Sequence, residues 1–274
     1  MKQESEIRFE FGTNWQHFLS VLNDERLEAA RLSMVKMLEC DDLHNKSFLD
    51  IGSGSGLSSL VARRMGARVH SFDYDPQSVA CTAELKRRYC SDDPDWTIER
   101  GSVLDEEYLA RLGSFDIVYS WGVLHHTGAM YEALENVVPL VAMDGRLFIS
   151  LYNDQRRISQ LWTWVKKTYV TLPKPVRFLL EIPSLTVVWG PNIIRNLLTR
   201  FDPFHDWREY HTARGMSPWY DLIDWVGGYP FEVSRPDEIF RFFHERGFSL
   251  ENLYTCGGGK GCNEYVFSRR PAPD

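Results

Sequence analysis

Residues 48–56 read Phe-Leu-Asp-Ile-Gly-Ser-Gly-Ser-Gly, a short apolar strand that runs directly into a glycine-rich turn. Glycine permits the tight turn and lets a ligand approach the backbone, while the helix predicted from Leu57 onward presents unpaired N–H groups at its start. The dinucleotide fingerprint G-x-G-x-x-G would require a third glycine at position 57, where the chain has leucine. The G-x-G-x-G spacing therefore argues against a dinucleotide diphosphate and favours another cofactor class.

Alternating apolar strands and amphipathic helices extend outward from this loop over residues 46–150. The pattern is typical of parallel strands joined by crossover helices, and so predicts an α/β core with a doubly wound sheet. Strands are predicted at Ser47 to Ile51, Arg68 to Phe72, Trp96 to Arg100, Phe115 to Ser120 and Arg146 to Leu151. Helices are predicted at Leu57 to Met65, Pro76 to Cys90, Glu106 to Leu112 and Met130 to Ala142.

The segments that flank this core have other patterns. Apolar residues recur at helical spacing from Trp15 to Glu39, so residues 1–45 are predicted to form a helical cover. The alternation stops over residues 152–235, which are rich in Trp and Pro. It resumes over residues 236–274, with a helix at Pro236 to Gly247 and strands at Ser249 to Cys256 and Asn263 to Ser268. The simplest organisation is one core, residues 46–151 and 236–274, with a mainly helical cap inserted after strand five.

Composition excludes several classes of protein. Of the 274 residues, 43% are hydrophobic and 25% are charged, and a formal net charge of −7 argues against DNA binding and disfavours RNA. The apolar stretch from Phe178 to Ile194 is interrupted by one acid and two prolines, so no transmembrane helix is predicted. The first ten residues do not resemble a signal peptide, and five cysteines without a CxxC pair fit reduced thiols. A cytoplasmic location is therefore predicted.

The loop at residues 48–56 resembles the D/E-x-G-x-G-x-G cofactor loop of class I S-adenosylmethionine-dependent methyltransferases. The resemblance continues in order through Phe72 to Pro76, Gly101 to Val103, Phe115 to Trp121 and Asp144 to Phe148, and residues 224–232 and 256–264 resemble a generically labelled bacterial branch of that family. It implies a Rossmann-like sheet of seven strands with the last one antiparallel, S-adenosylmethionine as the cofactor and S-adenosylhomocysteine as the product.

The resemblance also implies which residues bind the cofactor. An acid at the end of the second strand accepts hydrogen bonds from the two ribose hydroxyls in this family, and here that acid is Asp73. The family often has Asp near adenine where this chain has Ser102. The implied cofactor-binding residues are Asp50, Gly52, Gly54, Gly56, Asp73, Tyr74, Ser102, Val103 and Trp121.

Two adjacent histidines follow the fourth predicted strand, at the edge where the resemblance places the cofactor. An oxygen or sulfur acceptor must lose a proton, and imidazole, with an ordinary pKa of about 6.5, suits a general base, so His125 and His126 are the candidate bases. The alternative is that one of them packs under the loop and bonds a backbone carbonyl. Tyr152 is a further catalytic candidate because it follows strand five at the same edge. The candidate acceptor contacts are Asn153, His211, Arg214 and Tyr229.

The predicted cap is strongly basic. Residues 155–200 contain eight Lys or Arg against Glu181 alone, a net of +7, which leaves −14 on the rest of the chain. Tryptophans and a tyrosine lie among these cations. The pattern fits a lid over an anionic acceptor, a surface that contacts membrane lipid peripherally, or a solvated basic face with its aromatic residues packed inward. A lid would close over the cofactor, with Trp219, Tyr220, Trp225 and Tyr229 as the pocket wall.

The expected function is methyl transfer to the oxygen or sulfur of a small-molecule acceptor, and the residues leave both atoms open. The alternatives are a methyltransferase acting on a lipid, glycan, protein or tRNA, and a non-catalytic cofactor-binding scaffold. Cys256 and Cys262 lack the spacing and the second ligand pair of a structural zinc site, so metal-independent catalysis is expected. The oligomeric state is left open.

Overall fold

The computed structural model describes residues 9, 19, 22–214 and 218–269, and of residues 210–214, 218, 220, 221 and 224 it describes the backbone alone. The strands are β1 (Ser47–Ile51), β2 (Arg68–Asp73), β3 (Trp96–Arg100), β4 (Phe115–Trp121), β5 (Val141–Tyr152), β6 (Phe248–Tyr254) and β7 (Cys262–Arg269). The helices are α1 (Asp24–Leu38), α2 (Leu57–Arg64), α3 (Pro76–Tyr89), α4 (Glu106–Leu112), α5 (Met130–Val137), α6 (Arg157–Thr171), α7 (Phe178–Arg200), α8 (His205–Arg214), α9 (Pro218–Gly227) and α10 (Pro236–His244).

The seven strands form one sheet in the order β3-β2-β1-β4-β5-β7-β6. Strands β1 to β5 are parallel to one another, and β7 runs antiparallel between β5 and β6. The predicted Rossmann-like sheet with an antiparallel last strand is therefore confirmed. The strand order reverses between β1 and β4, and open α/β sheets bind ligands at such a switch point, outside the carboxyl ends of the strands.

Strand β1 lies at the centre of the sheet and is buried on both faces. Leu49 and Ile51 belong to the core layer that contains α4, α5 and α10, whereas Phe48 belongs to the layer that contains α1, α2 and α3. The helix that follows β2 begins sharply because the Asp75 carboxylate accepts a hydrogen bond from the N–H of Gln77 and Pro76 occupies the first turn. This cap fixes the chain directly after the end of β2.

The boundary between α5 and β5 differs from the prediction. The helix predicted to reach Ala142 ends at Val137, and a 3₁₀ turn, Val138–Leu140, follows it. Pro139 accounts for the change, because it lacks a backbone N–H and its ring clashes with the preceding helical turn. Strand β5 then begins at Val141 rather than at Arg146, and its pairing with β4 shifts register after Phe115.

The predicted N-terminal helix is confirmed in part. Helix α1 begins at Asp24 because the side chain of Asn23 accepts a hydrogen bond from the N–H of Arg26. It buries Leu27, Met34, Met37 and Leu38, while Leu32, another of the apolar residues at helical spacing, is 54% exposed. Residues 15–18, 20 and 21 of the predicted helix lie outside the described residues.

The insertion after β5 is helical over its described length, from α6 to α9. It packs on the end of β5 through a separate apolar cluster in which Trp162, Leu222, Val226 and Phe231 are buried and Tyr152 is partly buried. No helix among the described residues is long and apolar enough to span a membrane. The cap is thus held beside the carboxyl ends of β4 and β5.

Candidate cofactor and acceptor site

Three glycines of the loop after β1 have left-handed backbone conformations, with φ of 75° at Gly52, 54° at Gly54 and 81° at Gly56. Only glycine adopts this region without strain. A Cβ at Gly52 would also lie 2.4 Å from Cγ1 of Val123, which follows β4. The side chains of Ser53 and Thr82 hold the loop through an Oγ to Oγ1 contact of 2.9 Å. The predicted cofactor loop therefore packs so tightly against the loop after β4 that there is no room for a side chain at Gly52.

Replacing Gly52 by alanine is expected to lower the free energy of unfolding by about 1–3 kcal/mol, because it combines backbone strain with the clash at Val123. Denaturant unfolding measures the loss. The same substitution in a Val123→Ala background should cost less, since the two Cγ atoms are then gone and only Cβ of residue 123, at 2.9 Å, remains close. Equal stability of Gly52→Ala and the wild type would contradict the described loop.

Asp73 lies at the end of β2, beside the glycine loop. Its Oδ2 accepts a hydrogen bond from the N–H of Gly54 at 2.9 Å, and its Oδ1 accepts one from the N–H of Asp75 at 2.9 Å. Burial raises the pKa of this carboxyl to about 6, and these N–H groups oppose the rise by favouring the ionised form. Each oxygen keeps a further acceptor position, so the group fits the two hydroxyls of a ribose.

Two aromatic side chains line the same edge, Tyr74 with 50% and Trp121 with 44% of its surface exposed. The Tyr74 carbonyl accepts a hydrogen bond from Nε of Arg100 at 3.2 Å. Ser102 is half-buried, and its Oγ accepts a hydrogen bond from the N–H of Leu104 at 3.2 Å within its own turn. Val103 is buried in the core, and Asn136, which the sequence did not single out, donates to its carbonyl.

Asp50, predicted to bind the cofactor, lies beneath the loop instead of on the open edge. It is 2% exposed, and its Oδ2 accepts a hydrogen bond from the hydroxyl of Ser59 at 2.5 Å. Ser59 also contacts Ser71, which in turn accepts a hydrogen bond from the indole N–H of Trp96. Burial raises the Asp50 pKa to about 7, and the nearby Asp73 acts in the same direction. The carboxyl is thus placed to tie β1 to α2 and β2.

Because its pKa is raised, Asp50 is expected to bind its proton more tightly in the folded than in the unfolded chain. Its contribution to stability is complete below the unfolded pKa of about 4 and is lost as the pH rises through about 7. The wild type should therefore lose on the order of 4 kcal/mol across this range relative to Asp50→Asn. Unfolding curves of the two proteins at several pH values measure it; parallel pH profiles would exclude a buried, titrating Asp50.

The two histidines and Tyr152 meet at the carboxyl ends of β4 and β5. The ring centroids of His125 and Tyr152 are 4.0 Å apart, those of His125 and His126 are 4.5 Å apart, and those of His126 and Tyr152 are 5.4 Å apart. A 3₁₀ turn, Leu124–His126, brings both histidines onto the end of β5. The structure therefore assembles all three predicted catalytic residues in one cluster, while their catalytic roles stay predictions.

The two histidines have different surroundings. His125 is fully buried, and neither of its ring nitrogens has a hydrogen-bond partner among the described residues. Burial, followed by the charges of His126 and Lys166, lowers the pKa of His125 well below its usual value, so its ring is neutral. His126 is half-buried, and its Nδ1 lies 2.6 Å from the carbonyl oxygen of Pro230. A carbonyl only accepts, so Nδ1 carries a proton and the neutral ring has its lone pair at Nε2.

Lys166 is the main feature of the site that sequence reasoning missed. It is fully buried, and its ammonium group donates to the carbonyl of Trp225. Its Nζ lies 4.3 Å from the ring centroid of Trp225, 4.6 Å from that of Phe231 and 5.9 Å from that of Tyr152. The sequence contained a pattern that predicts this burial: Lys166 shares a helical face with Trp162 and Tyr169, which are four and three positions away. A cation thus lies inside the aromatic cluster that joins the cap to β5.

The other residues predicted to contact the acceptor lie around the histidine cluster or outside the described residues. Asn153 is buried, donates to the carbonyl of Gly259 at 3.1 Å and accepts from the side-chain amide of Asn263 at 3.1 Å, so its side chain links β5 to the loop before β7. Tyr229 is half-buried and immediately precedes Pro230, whose carbonyl contacts His126. Of the predicted pocket wall, Trp219 and Trp225 are partly buried in the cap cluster. The side chains of His211, Arg214 and Tyr220 lie outside the described residues.

No group of three or more His, Cys, Asp or Glu side chains within the described part of the chain could hold a metal ion. The thiol of Cys256 donates to the carbonyl of Gly259, and Cys262 is the first residue of β7. A cavity of about 470 Å³ lies at the opposite edge of the sheet, near the amino ends of β1 and β2, and is lined by His44, Asn45, Arg63, Gly66, Arg68 and Asp95. It is therefore separate from the carboxyl ends of the strands.

Residues 49–147 match the sequence profile of a family described as methyltransferase domain. These residues form a methyltransferase domain. The match runs from β1 into β5 and so contains the glycine loop, Asp73 and the two histidines. It confirms the family resemblance that the sequence predicted.

Two curated relatives are similar to the methyltransferase domain and its surroundings. A ubiquinone biosynthesis O-methyltransferase from Xanthomonas oryzae pv. oryzae is 31% identical over 137 residues, which are 49% of this chain and 52% of the relative. A tRNA U34 carboxymethyltransferase from Ectopseudomonas mendocina is 31% identical over 110 residues, 39% of this chain and 33% of the relative. The chain thus matches about half or less of the length of these relatives.

A solved structure confirms the fold over almost the whole chain. The magnesium protoporphyrin IX methyltransferase from Synechocystis, with bound S-adenosylhomocysteine, superposes with a TM-score of 0.56 at 14% identity and covers 94% of this chain and 93% of that one. At this identity the similarity establishes the fold alone. The methyltransferase domain described here therefore has the fold of known methyltransferases, and its acceptor has to be argued from its own residues.

Proposed function

We propose that the chain is an S-adenosylmethionine-dependent methyltransferase that acts on the oxygen or sulfur of a small-molecule acceptor. A carboxylate suited to ribose hydroxyls and a histidine tautomer suited to accept a proton lie at the same edge of the sheet, after β2 and β4. This combination, inside a methyltransferase domain, supports the proposal. The curated O-methyltransferase relative favours oxygen, while the residues themselves accommodate either atom.

The residues that would hold the cofactor are Asp73 and the glycine loop. Asp73 would accept hydrogen bonds from the ribose hydroxyls, and the left-handed glycines keep side chains away from the backbone that the ligand approaches. Tyr74 and Trp121 offer exposed aromatic surface for the apolar parts of the ligand. S-adenosylmethionine supplies, when bound, an electrophilic methyl group on a sulfonium.

Proton removal is assigned to His126. Its Nδ1–H is held by the carbonyl of Pro230, so the ring is fixed in orientation and tautomer and Nε2 is the basic nitrogen. His125 is buried and neutral, and it supports His126 and Tyr152 by packing against both rings. An acceptor hydroxyl or thiol would transfer its proton to Nε2 of His126 as it attacks the methyl carbon.

The test is a methyl-transfer screen with the purified full chain. S-adenosylmethionine is supplied with thiols, phenols, quinols and glycans, and release of S-adenosylhomocysteine is measured. We expect release above the acceptor-free rate with an oxygen or sulfur acceptor, and its loss in His126→Gln. Turnover confined to tRNA, with binding that weakens steeply as salt rises, would overturn the small-molecule proposal.

A further inference from the structure

The outer face of α7 is apolar and uncovered. It is formed by six side chains that are 51–73% exposed and that fall within about half of the helix circumference at 100° per residue: Leu179, Ile182, Val187, Ile194, Leu197 and Leu198. The opposite face contains Ser184, Trp189 and Asn196, which are buried. Side chains at these spacings lie along one side of a helix. Soluble proteins rarely leave such a continuous apolar surface to water.

Charged side chains do not interrupt this outer face. Glu181 accepts a hydrogen bond from the hydroxyl of Tyr169 on α6. Arg195 pairs with Asp206 on α8 at 2.5 Å, and Arg200, at the end of the helix, lies 3.8 Å from the same carboxylate. The apolar surface continues past the helix, where Phe201 is 90% exposed. The face therefore extends along the full length of α7.

Exposed cations lie on the segments that precede α7 in the chain. Arg156, Arg157 and Lys167 on and before α6, and Lys174 just before α7, are exposed and form no ion pair with the described residues. They belong to the segment 155–200, whose net charge is +7, whereas the rest of the chain carries −14. Helix α7 thus belongs to the most basic segment of the sequence.

Two partners could cover an apolar helix face, a second copy of the chain or a lipid bilayer. The positive charge of this segment distinguishes between them. A second copy docked through the same face would bring two basic segments together, each with the four exposed cations named above, which opposes association. A bilayer that contains anionic lipid attracts the cations and accepts the apolar side chains below its headgroups. We propose that the outer face of α7 lies in the surface of an anionic membrane, with the helix parallel to the bilayer. This proposal does not depend on the reaction that the chain catalyses.

The experiment is sedimentation of the full chain with lipid vesicles. Vesicles of phosphatidylcholine with about 30 mol% phosphatidylglycerol are compared with vesicles of phosphatidylcholine alone. We expect binding to the anionic vesicles, and at least about tenfold weaker binding for Ile194→Asp combined with Leu198→Asp. The control is Leu32→Asp, a leucine on α1 that is also exposed, at 54%, and this variant should bind as the wild type does. Helical circular dichroism shows that each variant is folded.

A second variant tests the charges without changing the apolar face. Arg157→Gln combined with Lys174→Gln should weaken binding to the anionic vesicles, as should about 0.5 M salt. Absence of binding to anionic vesicles, or equal loss in the Leu32→Asp control, would overturn the proposal. It would also be overturned by a wild type that is dimeric in sedimentation velocity and becomes monomeric on Ile194→Asp and Leu198→Asp while no vesicle binds.

Discussion

Replacing His126 by glutamine is expected to lower kcat for methyl transfer by about 10²- to 10⁴-fold while the affinity for S-adenosylmethionine stays nearly unchanged. Glutamine retains a donor for the Pro230 carbonyl but has no basic nitrogen in the place of Nε2. The measurement is steady-state release of S-adenosylhomocysteine with the acceptor that the screen identifies.

Two controls separate this role from a structural one. His244 is exposed at the end of α10, and His244→Gln should leave kcat unchanged. His125→Gln introduces a polar amide into a fully buried position, so it should lower stability more than His126→Gln does. A wild-type kcat in His126→Gln would remove His126 as the base and move attention to Tyr152.

Replacing Asp73 by alanine is expected to weaken the binding of S-adenosylmethionine at least tenfold, because it removes an ionised acceptor for two hydroxyls whose hydrogen bonds are worth about 1.5–3 kcal/mol each. Titration calorimetry measures the dissociation constant. Asp116→Ala is the matched control, since Asp116 lies at the start of β4, at the opposite edge of the sheet, where it binds Ser47. It should leave the affinity unchanged.

The Asp73 carboxyl also predicts how affinity depends on pH. Its pKa is raised to about 6, and hydroxyl donors favour its ionised form, so binding releases a proton below that pH. The affinity of the wild type should be constant above about pH 7 and should fall below about pH 6, by at most tenfold per unit. Asp73→Asn should bind weakly with little pH dependence in this range. A wild-type affinity that is flat down to pH 5 would contradict the assignment.

The strands of the core could be predicted because local patterns determine them. Strand β1 is an apolar run followed directly by glycines, a pattern that predicts a strand ending in a tight turn. Helix α3 begins at the proline and acidic cap that the sequence indicates. The α5 to β5 boundary was placed incorrectly because Val137, Val138 and Leu140 continue a helical apolar pattern, whereas Pro139 ends the helix. Tertiary pairing with β4 then recruits Val141 into the sheet.

The candidate site could be predicted only in part, because several of its contacts join distant segments. The contact between His126 and Pro230 links residues 104 positions apart, and the sequence gives no sign of it. Lys166 is buried against aromatic residues from β5 and the end of the cap, so its charge does not contribute to the basic surface that the composition indicates. Asp50 matches a cofactor motif, yet strand alternation directs it toward Ser59 beneath the loop.

The most direct test of the central claim is competitive binding of S-adenosylmethionine and NAD to the full chain, measured by titration calorimetry with the wild type and Asp73→Ala. We predict that S-adenosylmethionine and S-adenosylhomocysteine bind one per chain at a common site, that Asp73→Ala weakens both, and that NAD does not compete. Tight NAD binding together with no detectable S-adenosylmethionine binding would contradict the account, because the glycine loop would then serve a dinucleotide.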